Sequence, residues 1–563
     1  MMPGLLKETD PSTAFRWRDQ TFAEALVWAA EHHGERVAVS TRDARLTYSE
    51  LLARVEAFAL GLNEIGVRRG DNIALWMTDT IEWVIARWAI PSFGAVLVPV
   101  NTRLRGDELS YIIDQSDASV LIMDAQYGGH DYLQTLASIV PNYEVQANGS
   151  WYATRLPKLK QVVVNRMDPV ARSMTSFAAI EALGSKRRSD SAAFRRLCAG
   201  VVGTDVAQLL YTSGTTSLPK GAMVCHGPLL ENNFNSAART EMTADDAYLL
   251  TVPSFSATGV AAYCQCLTHG AKLVLMDRFS AKEMCRLIEQ EHVTVGFFAD
   301  PIIFDLRNFH DRKHYDLSSL RTGSGAPLSD ASVTFLTDEI GVKQITRIYG
   351  MSETSNPVSR GLSSDSAMVR FRSNGRPQPD VTVTIVDPET GALLGPEEVG
   401  EIRISGYTVM KGYYKKPEET AAAFDLEGRL CSGDLGMLNQ HGELVYVGRV
   451  KEMLKVGGFN IAPAEIEAFL EGCPGVERAA VVGVPAPRLG EVPFAFIEHT
   501  GETPPSADKL FEACRSGMAG YKVPRFLAFE GDWPMTGTQK VQKSQLRERA
   551  LELISSGSVH ARD

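Results

Sequence analysis

The stretch LLYTSGTTSLPKGAMVCH, residues 209 to 226, carries the most information in this chain. Two apolar runs flank a segment of small residues followed by a lysine, namely Thr212, Ser213, Gly214, Thr215, Thr216 and Lys220. Such a segment leaves backbone N–H groups and hydroxyl donors uncovered, which suits a polyphosphate. It is not a Walker A loop, because Pro219 precedes the lysine and no Gly-Lys-Ser/Thr follows. A flexible turn between two strands is the alternative interpretation.

The size and composition limit the class of protein. A chain of 563 residues exceeds a single hydrophobic core, so we expect two or more domains. Its 44% apolar and 22% charged residues are typical of a soluble globular protein. The net charge of -11 argues against nucleic-acid binding, which needs a basic face. The eight cysteines form no CxxC pair, which argues against a disulfide framework and a zinc site. This use of cysteine fits a reducing cytoplasm best.

The sequence gives no indication of a signal peptide or a membrane span. The N-terminal residues lack the cationic and apolar blocks of a signal peptide. The longest apolar stretch, near residues 84 to 100, is interrupted by Arg87, Pro91 and Gly94. A buried helix followed by a strand explains this stretch better than a membrane helix does.

The order of helix and strand signals predicts an α/β fold. Thr47 to Glu50 is a capping box that opens a helix ending before Gly66. A strand over 72–77, a helix over 80–90 and a strand over 95–100 follow, and the pattern recurs over 245–300. Such alternation predicts a parallel sheet covered by helices. We expect residues 143–203 to be a polar surface excursion. Short β-like runs after Asp380 precede a compact α+β end of the chain.

Several motifs in a fixed order carry a family resemblance. TSGTTSLPKG is followed by YGMSET at 349–354, GEIRISG at 400–406, SGD at 432–434, GRVKEMLKVGGFNIAPAEIE at 448–467, and Lys540. This set resembles the adenylate-forming superfamily of acyl- and aryl-CoA ligases, peptide-synthetase adenylation domains and luciferases, and is most like the acyl-CoA ligases. The resemblance covers roughly residues 40 to 550.

The resemblance implies a fold with two parts. A large N-terminal domain of several subdomains, residues 1–449, would contain parallel sheets, helices and a small β-barrel-like part. A small mobile α+β lid, residues 450–563, would follow. Lys451 matches the hinge position of the family, with an exposed lysine in a turn as the alternative.

The reaction implied by the resemblance has two steps. A carboxylate attacks the α-phosphorus of ATP to give an acyl-adenylate and pyrophosphate, and the thiol of coenzyme A then displaces AMP. The first step brings two anions together, so it needs Mg²⁺, a cation and converging donors. The partners implied are therefore ATP, Mg²⁺, a small-molecule carboxylic acid and CoA.

The motifs supply candidates for the phosphate side of the site. Thr212 to Thr216 and Lys220 would hold the phosphates. Glu353 would be the oxygen ligand of Mg²⁺, and Thr354 would donate to the α-phosphate. A solvated acid at a helix start is the alternative for Glu353. Lys540 would bridge the substrate carboxylate and the α-phosphate, and we expect the nearby Lys543 to be a solvated helix residue.

The nucleoside and CoA candidates come from the same motifs. Tyr349 would pack on adenine, with ordinary core packing as the alternative. Asp434 and Arg449 would bind the ribose, with a surface ion pair as the alternative for either. The remaining adenylate-side candidates are Gly325, Ala326, Pro327, Gly350 and Met351. The candidates for CoA are Lys455, Gly457, Gly458, Tyr521, Lys522 and Arg525. For the last three, a surface basic cluster is an equally good interpretation.

The acyl-pocket candidates predict an apolar cavity without a lysine or arginine for a second carboxylate. They are Phe255, Ser256, Gly259, Phe298, Gly323, Ser324 and Met351. Ser256 stands where many relatives have a histidine, which slightly favours a bulky carbocyclic acid over medium-chain or aryl acids. Two further departures, Ser217 and Gln539, each stand where the family commonly has glycine.

These departures leave other functions open. One is a thioester-forming enzyme with weak adenylation that takes acyl-adenylate from a partner, and another is an enzyme that loads a carrier protein. A non-catalytic nucleotide-binding relative is a third, which retention of Lys220, Glu353, Asp434 and Lys540 disfavours. The sequence also leaves a homodimer open.

Overall fold

The computed structural model describes residues 16–141, 144–145, 151–166, 174–212, 218–326, 328–456, 459–501, 503–535 and 541–562. Several predicted site residues lie outside the described residues: Ser213, Gly214, Thr215, Thr216, Pro327, Gly457, Gly458 and Lys540. The family departures at Ser217 and Gln539 lie outside them as well.

The elements alternate along most of the chain. The helices are α1 (Phe22–His33), α2 (Tyr48–Glu64), α3 (Ile81–Ser92), α4 (Gly106–Gln115), α5 (Tyr132–Ile139), α6 (Phe177–Arg187), α7 (Ala193–Cys198), α8 (His226–Ala238), α9 (Ala257–His269), α10 (Ala281–Glu291), α11 (Asp300–Asn308), α12 (Asp330–Thr334), α13 (Ala367–Arg372), α14 (Pro417–Ala422), α15 (Pro463–Glu471), α16 (Ala507–Gly517) and α17 (Lys543–Ser556).

The strands are β1 (Val37–Ser40), β2 (Arg45–Thr47), β3 (Asn72–Trp76), β4 (Val96–Pro99), β5 (Ala118–Asp124), β6 (Gln126–Tyr127), β7 (His130–Asp131), β8 (Glu144–Val145), β9 (Trp151–Tyr152), β10 (Gln161–Asn165), β11 (Thr175–Ser176), β12 (Val206–Thr212), β13 (Lys220–Cys225), β14 (Ala247–Leu250), β15 (Lys272–Leu275), β16 (Val295–Phe298), β17 (Thr322–Gly325), β18 (Gln344–Tyr349), β19 (Ser359–Arg360), β20 (Arg376–Pro377), β21 (Val381–Val386), β22 (Gly400–Gly406), β23 (Leu430–Leu438), β24 (Leu444–Arg449), β25 (Leu454–Val456), β26 (Phe459–Ile461), β27 (Val476–Ala486), β28 (Gly490–His499), β29 (Phe526–Phe529) and β30 (His560–Ala561).

Two large sheets form the body of the protein. One has seven strands in the order β11-β10-β5-β3-β4-β12-β13, and the other has nine in the order β2-β1-β15-β14-β16-β17-β18-β19-β20. The neighbours from β11 to β12 and from β1 to β18 run parallel. Helices α1, α2, α3, α8 and α9 share one large apolar cluster with strands of both sheets. The predicted parallel sheets with covering helices are confirmed. In both sheets, the loops that follow the parallel strands lie at the carboxyl ends of these strands.

The prediction for residues 143–203 was wrong in the described parts. Strand β10 pairs in parallel with β5, and its three consecutive valines are buried. Helix α6 lies directly on α2, and a Cβ added to Gly184 would come within 1.8 Å of the carbonyl oxygen of Ala57. Five strand residues and one close helix contact are enough to anchor this region, although most of its other residues are polar.

Besides the two-stranded pairs β6-β7 and β8-β9, the described part of the chain contains two smaller sheets. The predicted barrel-like part is a four-stranded antiparallel sheet in the order β21-β22-β23-β24. The last sheet has six strands from β25 to β30, and α15, α16 and β27 share its main core. Arg449 ends β24, a 3₁₀ helix spans Val450–Glu452, and β25 already belongs to the last sheet. Among the described helices, none has the length and apolar character needed to cross a membrane.

Candidate active site

The β12–β13 hairpin places the two described ends of the glycine- and threonine-rich segment side by side. Thr212 is the last residue of β12 and lies opposite Lys220, the first residue of β13. The hydroxyl of Thr212 donates to the carbonyl oxygen of Lys220 at 3.5 Å. The described ends of this segment are therefore adjacent, and Lys220 lies at one of them.

Lys220, Tyr413 and Glu353 form the first polar cluster of the site. The Lys220 ammonium lies 4.5 Å from the centroid of the Tyr413 ring, within the range of a cation–π interaction. The Tyr413 hydroxyl donates to Oε1 of Glu353 at 2.8 Å. Burial and the neighbouring Glu353 charge raise the pKa of Tyr413, so the phenol remains a donor. In this cluster, Tyr413 contacts a buried carboxylate through its hydroxyl and a cation through its ring.

Glu353 fits a magnesium ligand. Its side chain is buried, with 6% residual exposure, and Tyr413 bonds to only one of its carboxylate oxygens. An ionised carboxylate has further lone pairs, and Mg²⁺ prefers such oxygens together with water and phosphate. The residues present are therefore suited to Mg²⁺–ATP.

A tight turn after β18 fixes Glu353 and Thr354. A Cβ on Gly350 would lie 2.7 Å from Oδ1 of Asn356, so a side chain would not fit there. Ser355 and Asn356 both have left-handed backbone conformations, with φ of 56° and 48°. The Thr354 hydroxyl donates to the carbonyl oxygen of Met351 at 3.1 Å, so a bond to phosphate would replace this one.

Tyr349, Asp434, Arg449 and Tyr446 form the second polar cluster. The Tyr349 hydroxyl donates to Oδ2 of Asp434 at 2.8 Å, and the ring stacks on Tyr446 with centroids 5.8 Å apart. Arg449 lies opposite Asp434 on β24, with Nε 3.4 Å from Oδ1. Burial lowers the pKa of Arg449, but the neighbouring Asp434, Tyr446 and Glu452, with Tyr349, together outweigh this and raise it. This cluster presents an aromatic pair and a carboxylate, which are the groups that suit a base and a ribose.

The 325–327 segment lies at the end of β17. Gly325 is buried, and a Cβ there would lie 2.4 Å from both Leu328 and the carbonyl oxygen of Phe298. Packing within the protein therefore already requires this glycine. Ala326 is exposed at the strand end.

Ser256 is the N-cap of α9. Its hydroxyl donates to the carbonyl oxygen of Pro253 at 2.7 Å and accepts from the backbone N–H of Gly259 at 3.0 Å. A Cβ on Gly259 would lie 2.3 Å from the same carbonyl, so the turn and the helix start are tightly packed. Phe255 is half-buried beside them. The hydroxyl of Ser256 is thus used by its own helix.

The structure places the Phe298 ring against Gly323, another acyl-pocket candidate, since a Cβ on Gly323 would lie 2.5 Å from Cε2 of Phe298. The fully buried side chain of Phe298 lies in the cluster formed with α10 and α11, whereas Phe297 lies in the cluster that contains α9. Successive residues of a strand face opposite sides, which explains the separation. Gly323 and Ser324 are buried on β17, and Met351 is half-buried after β18. The predicted place of Phe298 in the pocket stays a prediction.

The lid candidates lie mostly on the surface. Lys451 is exposed in the 3₁₀ helix, and Lys455 forms an exposed ion pair of 3.7 Å with Glu389 of the body. Lys522 pairs with Glu465, while Tyr521 and Arg525 are exposed near it. The CoA role of these residues stays a prediction.

The prediction that Lys543 is a solvated helix residue was wrong. Its side chain retains only 20% exposure and bonds to Glu467 at 2.7 Å and to Glu452 at 3.4 Å. Burial alone would lower the pKa of Lys543, but the two carboxylates outweigh it and raise it. Lys543 is a half-buried residue paired with two carboxylates.

Sequence reasoning missed three residues of the site. Tyr413 joins Glu353 to Lys220, Tyr446 stacks on Tyr349, and Phe297 faces α9. The stretch KGYYKKPEET around Tyr413 was available as a signal, since it combines glycine with two aromatic residues before a helix start. Tyr446 and Phe297 depend on sheet register, which single-sequence patterns specify weakly.

Comparisons with known proteins agree with this geometry. The family described as "AMP-binding enzyme" matches residues 26–414, and the "AMP-binding enzyme C-terminal domain" matches residues 465–540. YngI of Bacillus subtilis (strain 168), provisionally named an acyl-CoA synthetase, is 34% identical over 96% of this chain and 98% of its own length. The 3-[(3aS,4S,7aS)-7a-methyl-1,5-dioxo-octahydro-1H-inden-4-yl]propanoyl:CoA ligase of Rhodococcus jostii (strain RHA1) is 32% identical over 94% of this chain and 98% of its own length.

A solved structure extends the comparison. The crystal structure of the anthranilate CoA ligase AuaEII in complex with anthranoyl-AMP has a TM-score of 0.83 and 25% identity, and the match covers 95% of this chain and 98% of that one. The chain therefore belongs to the AMP-binding enzyme family and is an AMP-forming acid–CoA ligase that uses ATP, Mg²⁺ and CoA and acts through an acyl-adenylate.

Proposed function

We propose that this ligase activates a monocarboxylic acid with a bulky, apolar carbocyclic group. The observation that carries the proposal is the position of Ser256, whose hydroxyl is bonded within its own turn and helix start. A short side chain engaged in this way leaves both space and an apolar surface at the acyl end of the site. None of the pocket candidates is a lysine or arginine, so a second carboxylate would lack a partner.

The relatives support this substrate class. The ligase of Rhodococcus jostii acts on a propanoate that carries a fused bicyclic ring system, as its name states. The mouse ligase ACSF2, which is 30% identical over 94% of this chain, is named for medium-chain acids. A carbocyclic acid with a short carboxylate arm is consistent with both.

We further propose roles for the described residues on the adenylate side. Lys220 binds the phosphates together with residues 212–216. Glu353 holds Mg²⁺ in the position set by the Tyr413 hydroxyl, and Thr354 donates to the α-phosphate. Asp434 accepts from the ribose hydroxyls, with Arg449 beside it, and Tyr349 packs on the base. When bound, Mg²⁺ neutralises the phosphate charge that develops during adenylation.

The lid takes part in both steps of this proposal. The body comprises residues 1–449, the lid comprises residues 450–563, and rotation occurs at Lys451. Lys540 supplies the cation for adenylation, and the segment from Lys455 to Gly458 admits the pantetheine arm for thiol transfer. Tyr521, Lys522 and Arg525 are the proposed contacts for the CoA phosphates. A cytoplasmic location belongs to the same proposal and is supported by the eight free cysteines.

A panel of acids tests the substrate class. We expect carbocyclic propanoates to give the highest CoA-dependent AMP release, followed by medium-chain acids, with dicarboxylic acids the poorest. Ser256→His narrows the pocket and should lower kcat/KM for the carbocyclic acids by about tenfold or more while sparing short linear acids. A preference for dicarboxylic acids, or an unchanged ranking in Ser256→His, would contradict the proposal.

The two half-reactions test the residue roles. ATP–pyrophosphate exchange without CoA reports adenylation, and thioester formation from supplied acyl-AMP reports thiol transfer. Lys540→Ala should lower exchange by a factor on the order of 10² to 10³ and spare the transfer. Equal loss of both steps would argue against this assignment.

A further inference from the structure

The lid contains a half-buried ion cluster that the reaction scheme does not use. Lys543, the first residue of α17, bonds to Glu467 of α15 and to Glu452 of the 3₁₀ helix. Glu467 also accepts the backbone N–H of Val481 at 2.7 Å, which fixes the carboxylate against β27. One ammonium therefore connects three elements of the lid, and Glu452 directly follows the proposed hinge residue.

The residues on both sides of 536–540 are also held in place. Met535 and Val541 form an antiparallel bridge, so the two ends of this segment lie next to each other. The backbone N–H of Gln542 donates to the carbonyl oxygen of Pro534 at 2.8 Å. The side-chain amide of Gln542 donates to the carbonyl oxygen of Met535 at 2.8 Å. Lys543 comes next in the chain and attaches this base to α15 and to the 3₁₀ helix.

We propose that Lys543 is a positioning residue for adenylation. It holds the base of the segment that carries Lys540 at a fixed place relative to the hinge. The inference rests on the proposed role of Lys540 and deepens it. The half-buried ammonium contacts carboxylates from two other elements, and these charge-assisted contacts fix the distances between the elements that supply them.

The cluster should matter more for adenylation than for thiol transfer. Adenylation needs the Lys540 ammonium placed to within a fraction of an ångström of the reacting groups, and small misplacements reduce rates strongly. The thiol-transfer step uses the segment from Lys455 to Gly458, whose described side is held by the pairing of β25 with β28.

The experiment compares both half-reactions in Lys543→Met, Lys543→Arg and Lys540→Ala. We expect Lys543→Met to lower the exchange rate at saturating ATP by about tenfold or more, with an unchanged KM for ATP and with transfer from acyl-AMP within about twofold. Lys543→Arg, which keeps the charge, should restore most of the exchange. Adding Lys543→Met to Lys540→Ala should cause little further loss, because both changes act through one cation.

The matched control is Arg549→Met. Arg549 lies on the same helix, pairs with Glu530 at 3.2 Å and is half-exposed, so both half-reactions should stay unchanged. If Lys543→Met does not fold, Glu452→Gln keeps the pair with Glu467 and should still lower exchange about threefold.

Three outcomes would overturn the positioning role: full exchange in Lys543→Met beside its loss in Lys540→Ala, equal loss of both half-reactions, or full exchange in Glu452→Gln. Full exchange in Lys540→Ala would instead contradict the proposed function, which makes the two failures distinguishable.

Discussion

At the scale of single residues, Tyr413 determines how the buried Glu353 can act. Its hydroxyl bonds to one carboxylate oxygen at 2.8 Å, and its ring faces the Lys220 ammonium. A buried carboxylate without a donor would be less ordered and more costly to keep ionised. Tyr413 therefore orients the proposed metal ligand before ATP binds.

Tyr413→Phe should lower ATP–pyrophosphate exchange by about tenfold or more, since hydrogen bonds to charged groups are typically worth about 1.5–3 kcal/mol. The ring remains, so the interaction with Lys220 is retained. The neighbouring Tyr414→Phe is the control, because that hydroxyl bonds to Asp117 at 3.1 Å and not to Glu353. Equal activities in the two variants would exclude the proposed role of Tyr413.

The residue types of the site were more predictable than their contacts. The motifs identified Lys220, Glu353 and Asp434, but the partners Tyr413 and Tyr446 come from distant segments of the chain. Lys543 illustrates the limit. A lysine at a helix start is usually solvated, and only the fold shows that two glutamates from other elements surround it.

At the scale of elements, the start of α9 links stability to the acyl site. Ser256 satisfies the backbone N–H of Gly259, which would otherwise lack a partner in the first turn of the helix. A larger side chain in the pocket would have to give up this cap. Ser256 and Gly259 therefore belong both to the proposed acyl end of the site and to the start of α9.

Ser256→Ala should lower the free energy of unfolding by about 1 kcal/mol, whereas Ser256→Gly should cost only a few tenths. Ser506→Ala is the matched control, because Ser506 precedes α16 without a side-chain capping bond and its replacement should have little effect. Chemical denaturation of the three variants measures the differences. Similar losses at Ser256 and Ser506 would show that the cap contributes nothing specific.

Several elements followed from local patterns. The capping box at Thr47 predicted α2, and the alternation over 72–100 predicted β3, α3 and β4. Strand β10 was missed because its valines lie within a polar region, so that only its neighbours in the sheet show it to be central.

At the scale of the whole molecule, weak ion pairs join the lid to the body. Arg307 lies 3.6 Å from Glu477, and Lys455 lies 3.7 Å from Glu389. Surface pairs of this kind are worth about 0–1 kcal/mol each. Such weak contacts are compatible with the proposed rotation of the lid between the two steps.

Glu471 adds a pH dependence at this interface. Burial raises its pKa to about 7, and the carboxylates of Glu467 and Asp300 add to the rise, while the N–H of Ala479 and the charge of Arg478 oppose it. A carboxyl group with a raised pKa binds its proton more tightly in the folded state. Its contribution to stability is therefore fully present below the ordinary value of 4.5 and is lost as the pH rises through about 7.

Glu471→Gln should remove this dependence, because an amide resembles the protonated acid and does not titrate. Between about pH 5 and about pH 8, the melting temperature of the lid should fall further in the wild-type protein than in the variant. The exposed Glu548 on α17 provides the control, since Glu548→Gln should keep the wild-type slope.

Asp300 belongs to the body, so rotation of α15 away from it would relieve part of the repulsion. We therefore expect the pH dependence of the wild-type lid to weaken when an acyl-adenylate analogue and CoA favour the thiol-transfer orientation, and an identical slope in all of these samples would contradict this account.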